Sequence, residues 1–285
     1  MSGPLRKSMD PELEFFSPFS HGRIDEAYDN LKVKLLSWPD EEQFAKMATI
    51  AGKGHSGASF DLENFDIDEL IVGDAWKGGL GQIKEFGKLV FLVTGCSRGF
   101  THEIVRTRVG AAYIQQTMRH TNMGNPDVRM PTSFAKWSPK NWMDIGSNPD
   151  QRKRASAVER WIKLQREAQA TYQELVDADF AYQDARTACT LATETWIIIS
   201  YDIRSWLDTY AQRRCHMFYP EMVEVMKLMK EAVAEKVSWV AEQAKIGCET
   251  SQKCTYMGTE IVEGWCPLPW AKENNRVWKS QKFKK

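Results

Sequence analysis

Net charge is the first thing this sequence lacks. Its 38 Lys and Arg residues match 38 Asp and Glu residues, so no global field grips nucleic acid or an anionic membrane, and any anion binding must be local. Long apolar runs are missing too. The longest bare stretches, LVFLV at 89–93 and WIII at 196–199, fall far short of a membrane-spanning helix. Neither nucleic acid nor a membrane is an expected partner. Cysteine is sparse: Cys96, Cys189, Cys215, Cys248, Cys254 and Cys266 form no dense framework. The first residues carry basic side chains with no apolar h-region behind them, so a reducing, cytoplasmic setting is expected. The late trio Cys248, Cys254 and Cys266 lacks the gaps of a paired CxxC zinc site. No metal is expected, and all six thiols read as ordinary buried side chains.

What is there is a well-solvated globular chain of 285 residues, 42% hydrophobic and 27% charged, long enough to bury a substantial core. Residues 1–25 mix Pro, Ser, Gly and charge without a period and read as a poorly ordered lead-in. WPDEEQFAKMATIAGKG (38–54) predicts a helix headed by Pro39 and Asp40 and stopped by Gly52 and Gly54, with His55 directly after. GKLVFLVTG (87–95) predicts a buried strand. SRGFTHEIVRTR (97–108) predicts a short helix N-capped by Thr101, with Arg106 and Arg108 near its end. Asn, Pro, Gly, Ser and Trp dominate 121–150, which predicts a long loop rather than a core element.

Asn148 and Pro149 open a helix in which Val158, Trp161, Ile162, Gln165, Ala168, Tyr172 and Leu175 keep the three/four spacing. A second long helix starts near Pro220, and its stripe of Met222, Met226, Met229, Val233 and Val237 reads as core rather than as a ligand site. No linker cuts the chain in two. One domain is expected over 26–244, carrying the loop insertion 121–150, with a C-terminal extension over 245–285. The residues alone establish mixed α and β with at least two long helices.

EIVRTRVGAAYIQQTMRH (103–120) sets Arg106, Arg108 and Arg119 among small, apolar and amide side chains with Glu103 at the edge. Clustered guanidinium groups repel one another. Either they pair with Glu103 and neighbouring acids on a solvated face, or an anion belongs there, and Arg suits two-pronged contacts to phosphate. The stretch resembles the signature RHRxxSxNExSxRY of the flavin-dependent thymidylate synthases. Arg106, Arg108 and Arg119 stand at its first, second and last arginines and Thr117 at its later serine, with one extra residue inside. Thr107 replaces His, Ala112 the first Ser, Ile114 the Asn, Gln115 the Glu and His120 the final Tyr. GHSGASFD (54–61) resembles the family's upstream histidine with its serine and acid. DAR ending at Arg186, DIR at 202–204 and Arg213 fit the downstream pattern of AR, NxR and a further arginine at the family's spacing.

The resemblance, spanning about residues 45–235, implies an α+β fold: a twisted, largely antiparallel sheet with long flanking helices, assembled as a homotetramer with shared active sites. It implies C5-methylation of a uracil nucleotide, dUMP to dTMP, with methylenetetrahydrofolate as carbon donor, reduced FAD as hydride donor and NADPH as co-substrate. No cysteine nucleophile is needed. By the same resemblance Thr117, Arg119 and Arg186 take the nucleotide phosphate. Glu103, Gln115, Gln116 and Arg106 hold the rest of the nucleotide, and Arg213 meets the pyrimidine ring. Arg106, Thr107, Arg108, Asp202 and Arg204 grip FAD, and His55 borders flavin and folate or is simply a loop residue. Two other readings stand beside dUMP. Glu103, where the family usually has Gln, would suit the ribose diol of UMP or another pyrimidine nucleotide. Thr107, Ala112 and Asp202 would suit a non-catalytic homologue that binds flavin and nucleotide without turnover.

Overall fold

The computed structural model describes residues 20–21, 24–25, 30–59, 61, 64–77, 81–135, 137, 148–215 and 218–251. The strands are β1 (Ser20–His21), β2 (Ile24–Asp25), β3 (Lys32–Ser37), β4 (Lys88–Ser97), β5 (Ala111–Gln115), β6 (Gly124–Asn125), β7 (Val128–Arg129) and β8 (Glu194–Asp202). The helices are α1 (Glu41–Ser56), α2 (Glu69–Lys77), α3 (Arg98–Ile104), α4 (Thr132–Ala135), α5 (Pro149–Asp177), α6 (Tyr182–Ala185), α7 (Ile203–Arg213), α8 (Pro220–Lys236), α9 (Ser238–Ala241) and α10 (Gly247–Ser251). The chain divides into two compact units. Residues 1–29 and 117–194 form one, and residues 30–116 and 195–285 the other.

The larger unit is built on a four-stranded sheet ordered β3-β4-β8-β5, in which β3 pairs antiparallel with β4 and β5 antiparallel with β8. Alternation decides its faces. Leu89, Phe91 and Val93 of β4 and Ile197, Ile199 and Tyr201 of β8 are all fully buried. α7 and α8 pack against β4, and α8 also against β3. Their Trp206, Met222, Val225, Met226, Met229 and Val233 have no exposed surface. Each such side chain stabilises the fold by about 1.5–3 kcal/mol, and the methionine stripe is core as the periodicity predicts. With the helices and antiparallel pairs together, the fold is α+β.

α1 keeps its expected head, Asp40 accepting from the Gln43 N–H at 2.9 Å, but runs on through Gly52 and Gly54 to Ser56. It stops at Gly57, whose φ of 72° lies in the left-handed region open to glycine. α3 is capped by Ser97, which accepts from the Phe100 N–H at 3.1 Å, rather than by Thr101. α3 ends at Ile104 with Val105 as its C-cap, so Arg106 and Arg108 lie in the turn beyond it. The C-terminal extension begins ordered: Ile246 and Cys248 are buried, and Lys230 Nζ donates to the Ala244 carbonyl at 2.7 Å. The rest of it, 252–285, lies outside the described residues.

The smaller unit is organised by α5, opened by Asn148 and Pro149 as the sequence predicts. The expected loop 121–150 is a core element in its first part. Met123, Asp127, Val128, Arg129 and Met130 are buried, and β6 and β7 pair parallel with β1 and β2. Ser20–His21 and Ile24–Asp25, at the end of the expected lead-in, are thus paired strands; residues 1–19 and 138–147 lie outside the described residues. Of the thiols, Cys96, Cys215 and Cys248 are buried, and Cys189 is only half-buried. Cys254 and Cys266 are outside the described residues. No described helix is long and apolar enough to cross a membrane.

Candidate functional site

In the smaller unit Thr117, Arg119 and Arg186 each adjoin a residue of one buried cluster. Met118 and Ala185 belong to one buried cluster with Met123 and Tyr172. That anchorage leaves Thr117, Arg119 and Arg186 exposed on the adjacent residues. The Thr117 hydroxyl accepts from the Arg119 N–H at 3.2 Å, and Arg186 Nε donates to the Gln183 carbonyl at 3.0 Å. Guanidinium groups and hydroxyls are the donors that suit phosphate oxygens. The Tyr172 hydroxyl accepts from the Met123 N–H at 2.8 Å, fixing the chain just past Arg119.

In the larger unit a second group forms where the turn after α3 meets the start of α7. Gly110 has φ 64°, its carbonyl accepts from the Asp202 N–H at 2.8 Å, and a Cβ there would collide with Asp202 Oδ2 and Ser205 Oγ. Only glycine lets the Arg106–Arg108 turn approach Asp202–Arg204 this closely. Arg106, Arg108 and Arg204 are exposed, while Thr107 is half-buried. Asp202 is buried, its Oδ1 caps α7 at the Ser205 N–H (2.7 Å), and Lys88 Nζ lies 3.7 Å from Oδ2. Its role is to hold the corner on which Arg204 sits. Arg204 Nη1 reaches Glu85 Oε1 at 2.7 Å with both side chains about half exposed, a pairing weak enough to exchange for an anion.

The remaining nucleotide candidates lie in the same unit. Gln115 Nε2 donates to Thr101 Oγ1 at 2.7 Å, so Thr101, denied the cap, orients this amide instead. Gln116 is engaged on both sides: its carbonyl accepts from Arg98 Nη2 at 2.9 Å and its Oε1 from Thr195 Oγ1 at 3.3 Å. Glu103 lies half-exposed on the last turn of α3, its carboxylate without a hydrogen bond or ion pair among the described residues. Arg213 stands over the Phe218 ring at 4.8 Å and favours the ionised forms of Tyr113 and Tyr201. His55 stands apart, exposed on the last turn of α1, with nothing among the described residues tying it to this corner.

The sequence reading missed Tyr113, Tyr201, Gly110 and Glu221. Glu221 is fully buried and accepts from both the N–H and the hydroxyl of Ser97 at 2.6 Å, which sets where α3 begins. Gly110, next to the extra residue in the motif, was the available signal. Nothing in a single sequence distinguishes the two tyrosines from other strand aromatics.

A family model described as thymidylate synthase complementing protein matches residues 36–238. The chain is 29% identical over 195 residues to the flavin-dependent thymidylate synthase of Thermococcus onnurineus, covering 66% of this chain and 68% of that one. Against the enzyme of the same name from Pyrococcus abyssi it is 26% identical over 218 residues, 74% and 78% of the two chains. Two solved structures share the fold. The UMP/dUMP methylase PolB from Streptomyces cacaoi, bound with 5-Br dUMP, aligns with a TM-score of 0.57 at 16% identity over 78% of this chain and 95% of that one. Thymidylate Synthase X from Helicobacter pylori, with FAD and dUMP, gives 0.53 at 15% identity over 75% and 99%.

Proposed function

The chain belongs to the thymidylate synthase complementing protein family, and from that premise we propose that it is a flavin-dependent nucleotide C5-methyltransferase that converts dUMP to dTMP. The observation that carries the proposal is the close approach of Gly110 to Asp202, which sets the Arg106–Arg108 turn beside the Arg204 corner. Three exposed guanidinium groups on two adjoining segments fit the pyrophosphate of FAD in number and charge. When bound, FAD supplies the hydride chemistry, with NADPH as its reductant and methylenetetrahydrofolate as the carbon source. The protein binds and orients. Arg106, Arg108 and Arg204 hold the flavin, with Thr107 and Asp202 shaping the segments that carry them. Thr117, Arg119 and Arg186 take the nucleotide phosphate, and Glu103, Gln115 and Gln116 its sugar. Arg213 stabilises negative charge on the pyrimidine carbonyls as C5 reacts, and His55 borders flavin and folate. A homotetramer with shared sites in a cytoplasmic setting completes the reading.

Glu103 favours a second substrate. Its uncommitted carboxylate can accept from both hydroxyls of a ribose diol, which suits UMP. One experiment decides: incubation with reduced FAD and methylenetetrahydrofolate plus dUMP, UMP or dCMP in parallel, followed by mass analysis. The expected result is a nucleotide heavier by one methylene, dUMP first. FAD binding with no product from any nucleotide would identify a non-catalytic homologue. No flavin absorbance and no saturable FAD binding would remove the cofactor assignment altogether.

A further inference from the structure

The turn that carries Arg106 and Arg108 is fastened from beneath by a pair of phenols. Tyr113 on β5 and Tyr201 on β8 meet edge to face, ring centroids 6.1 Å apart at 90°, with their hydroxyl oxygens 3.1 Å apart. The Tyr113 hydroxyl also lies 2.5 Å from the Thr107 carbonyl and 3.0 Å from that of Ile104. Carbonyls only accept, so the single Tyr113 proton points to them, shared toward the nearer, and Tyr113 accepts from Tyr201. Tyr201 is fully buried and its rotamer is held by packing, so it fixes where the Tyr113 oxygen sits. The Ile104 carbonyl already receives the Thr107 N–H at 3.1 Å. One hydroxyl thus ties the end of α3 to the middle of the turn, and the Gly110 carbonyl, bound by Asp202, ties the turn's far end. Between these fastenings Arg106, Arg108 and Val109 are exposed.

We infer that Tyr113 is a positioning residue for the flavin: its hydroxyl, braced by Tyr201, holds the Arg106–Arg108 turn in the shape that presents both guanidinium groups. The inference rests on the flavin assignment proposed above. Burial raises the pKa of both phenols, and Tyr201 additionally feels Tyr113, while Arg213 pulls the other way on each. The pair therefore keeps both protons at neutral pH, as the donor chain from Tyr201 through Tyr113 to Thr107 requires. Neither hydroxyl takes part in chemistry. A guanidinium held in place loses less freedom on gripping a phosphate than one on a loose turn, so the fastening shows in affinity.

The test is Tyr113→Phe in the full-length protein, which removes the hydroxyl and keeps the ring. Affinity for FAD, titrated by quenching of flavin fluorescence, should fall about three- to tenfold. Affinity for dUMP, which rests chiefly on Thr117, Arg119 and Arg186, should change by less than about twofold. Without FAD, trypsin should cut after Arg106 and Arg108 faster in the variant than in the wild type, because cleavage requires the turn to leave its fastened shape. Tyr201→Phe should give a smaller loss of FAD affinity, since Tyr113 still donates to Thr107. The double variant should be no worse than Tyr113→Phe. Wild-type FAD affinity in Tyr113→Phe overturns the inference. Should that variant fail to fold, wild-type FAD affinity in Tyr201→Phe overturns it equally. A wild-type protein that binds no FAD refutes the flavin assignment instead, so the two failures are distinguishable.

Discussion

Arg119 owes its place to its neighbour: Met118 is sunk in the cluster with Tyr172 and Ala185, so the guanidinium is exposed on a fixed backbone. Removing a charged partner from a desolvated phosphate contact costs about 2–5 kcal/mol, so Arg119→Ala should weaken nucleotide binding by about thirtyfold or more. FAD binding should change far less, because the flavin is assigned to Arg106, Arg108 and Arg204 rather than to Arg119. Lys at this position should recover only part of the loss, since an ammonium keeps the charge without the two-pronged geometry. Separate titrations of nucleotide and FAD against both variants check this; an Arg119→Ala protein that loses FAD and keeps its nucleotide refutes the division of labour. The arginines stand out in the sequence because their charge and spacing set them apart. Tyr113 does not: its importance comes from two carbonyls and a phenol that only the folded turn brings to it.

Among the elements, α3 shows best what a local reading can and cannot reach. Ser97 and Thr101 are both competent N-caps, and the choice between them is made by Glu221, which engages the N–H and hydroxyl of Ser97 from the first turn of α8. Cap chemistry near residue 100 holds no trace of that distant carboxylate. Glu221→Gln, which keeps the shape and halves the acceptors, should destabilise the protein by about 1–3 kcal/mol, read as a lower urea midpoint with an unchanged slope. A midpoint equal to the wild type would mean that Glu221 does not set the start of α3. α5 and α8 were legible because their signals are local: a proline at the head and a regular apolar stripe. Residues 121–131 were not, because their polar and glycine-rich composition hides Met123, Val128 and Met130, which are buried against segments remote in sequence. The Gly110 turn, likewise, is decided by Asp202, on a strand the chain reaches only much later.

For the molecule as a whole, the buried phenols set a limit at high pH. Tyr113, Tyr172, Tyr201 and Tyr210 are all shifted upward from the ordinary 10.0, in each case chiefly by burial. Above pH 10 the unfolded chain releases these protons while the folded one retains them. The unfolded state then binds fewer protons, so stability that is intact below that pH is lost as pH rises through it. Urea midpoints should be flat from pH 7 to 9 and fall from 10 upward, with Tyr201→Phe falling less steeply; a midpoint unchanged to pH 11 would contradict the burial of these rings. The strand order β3-β4-β8-β5 has a further consequence, in time. On the ribosome β3 and β4 are complete by residue 97, but β8 ends only at residue 202. At about 5–20 residues per second, β4 waits on the order of 5–20 s for its second neighbour. Throughout that interval β4, with Leu89, Phe91 and Val93, lacks β8 and the two helices α7 and α8 that pack against it. The nascent chain offers an open apolar strand edge to its surroundings. Yield during synthesis should therefore depend more on chaperone supply and elongation rate than the stability of the finished protein would suggest.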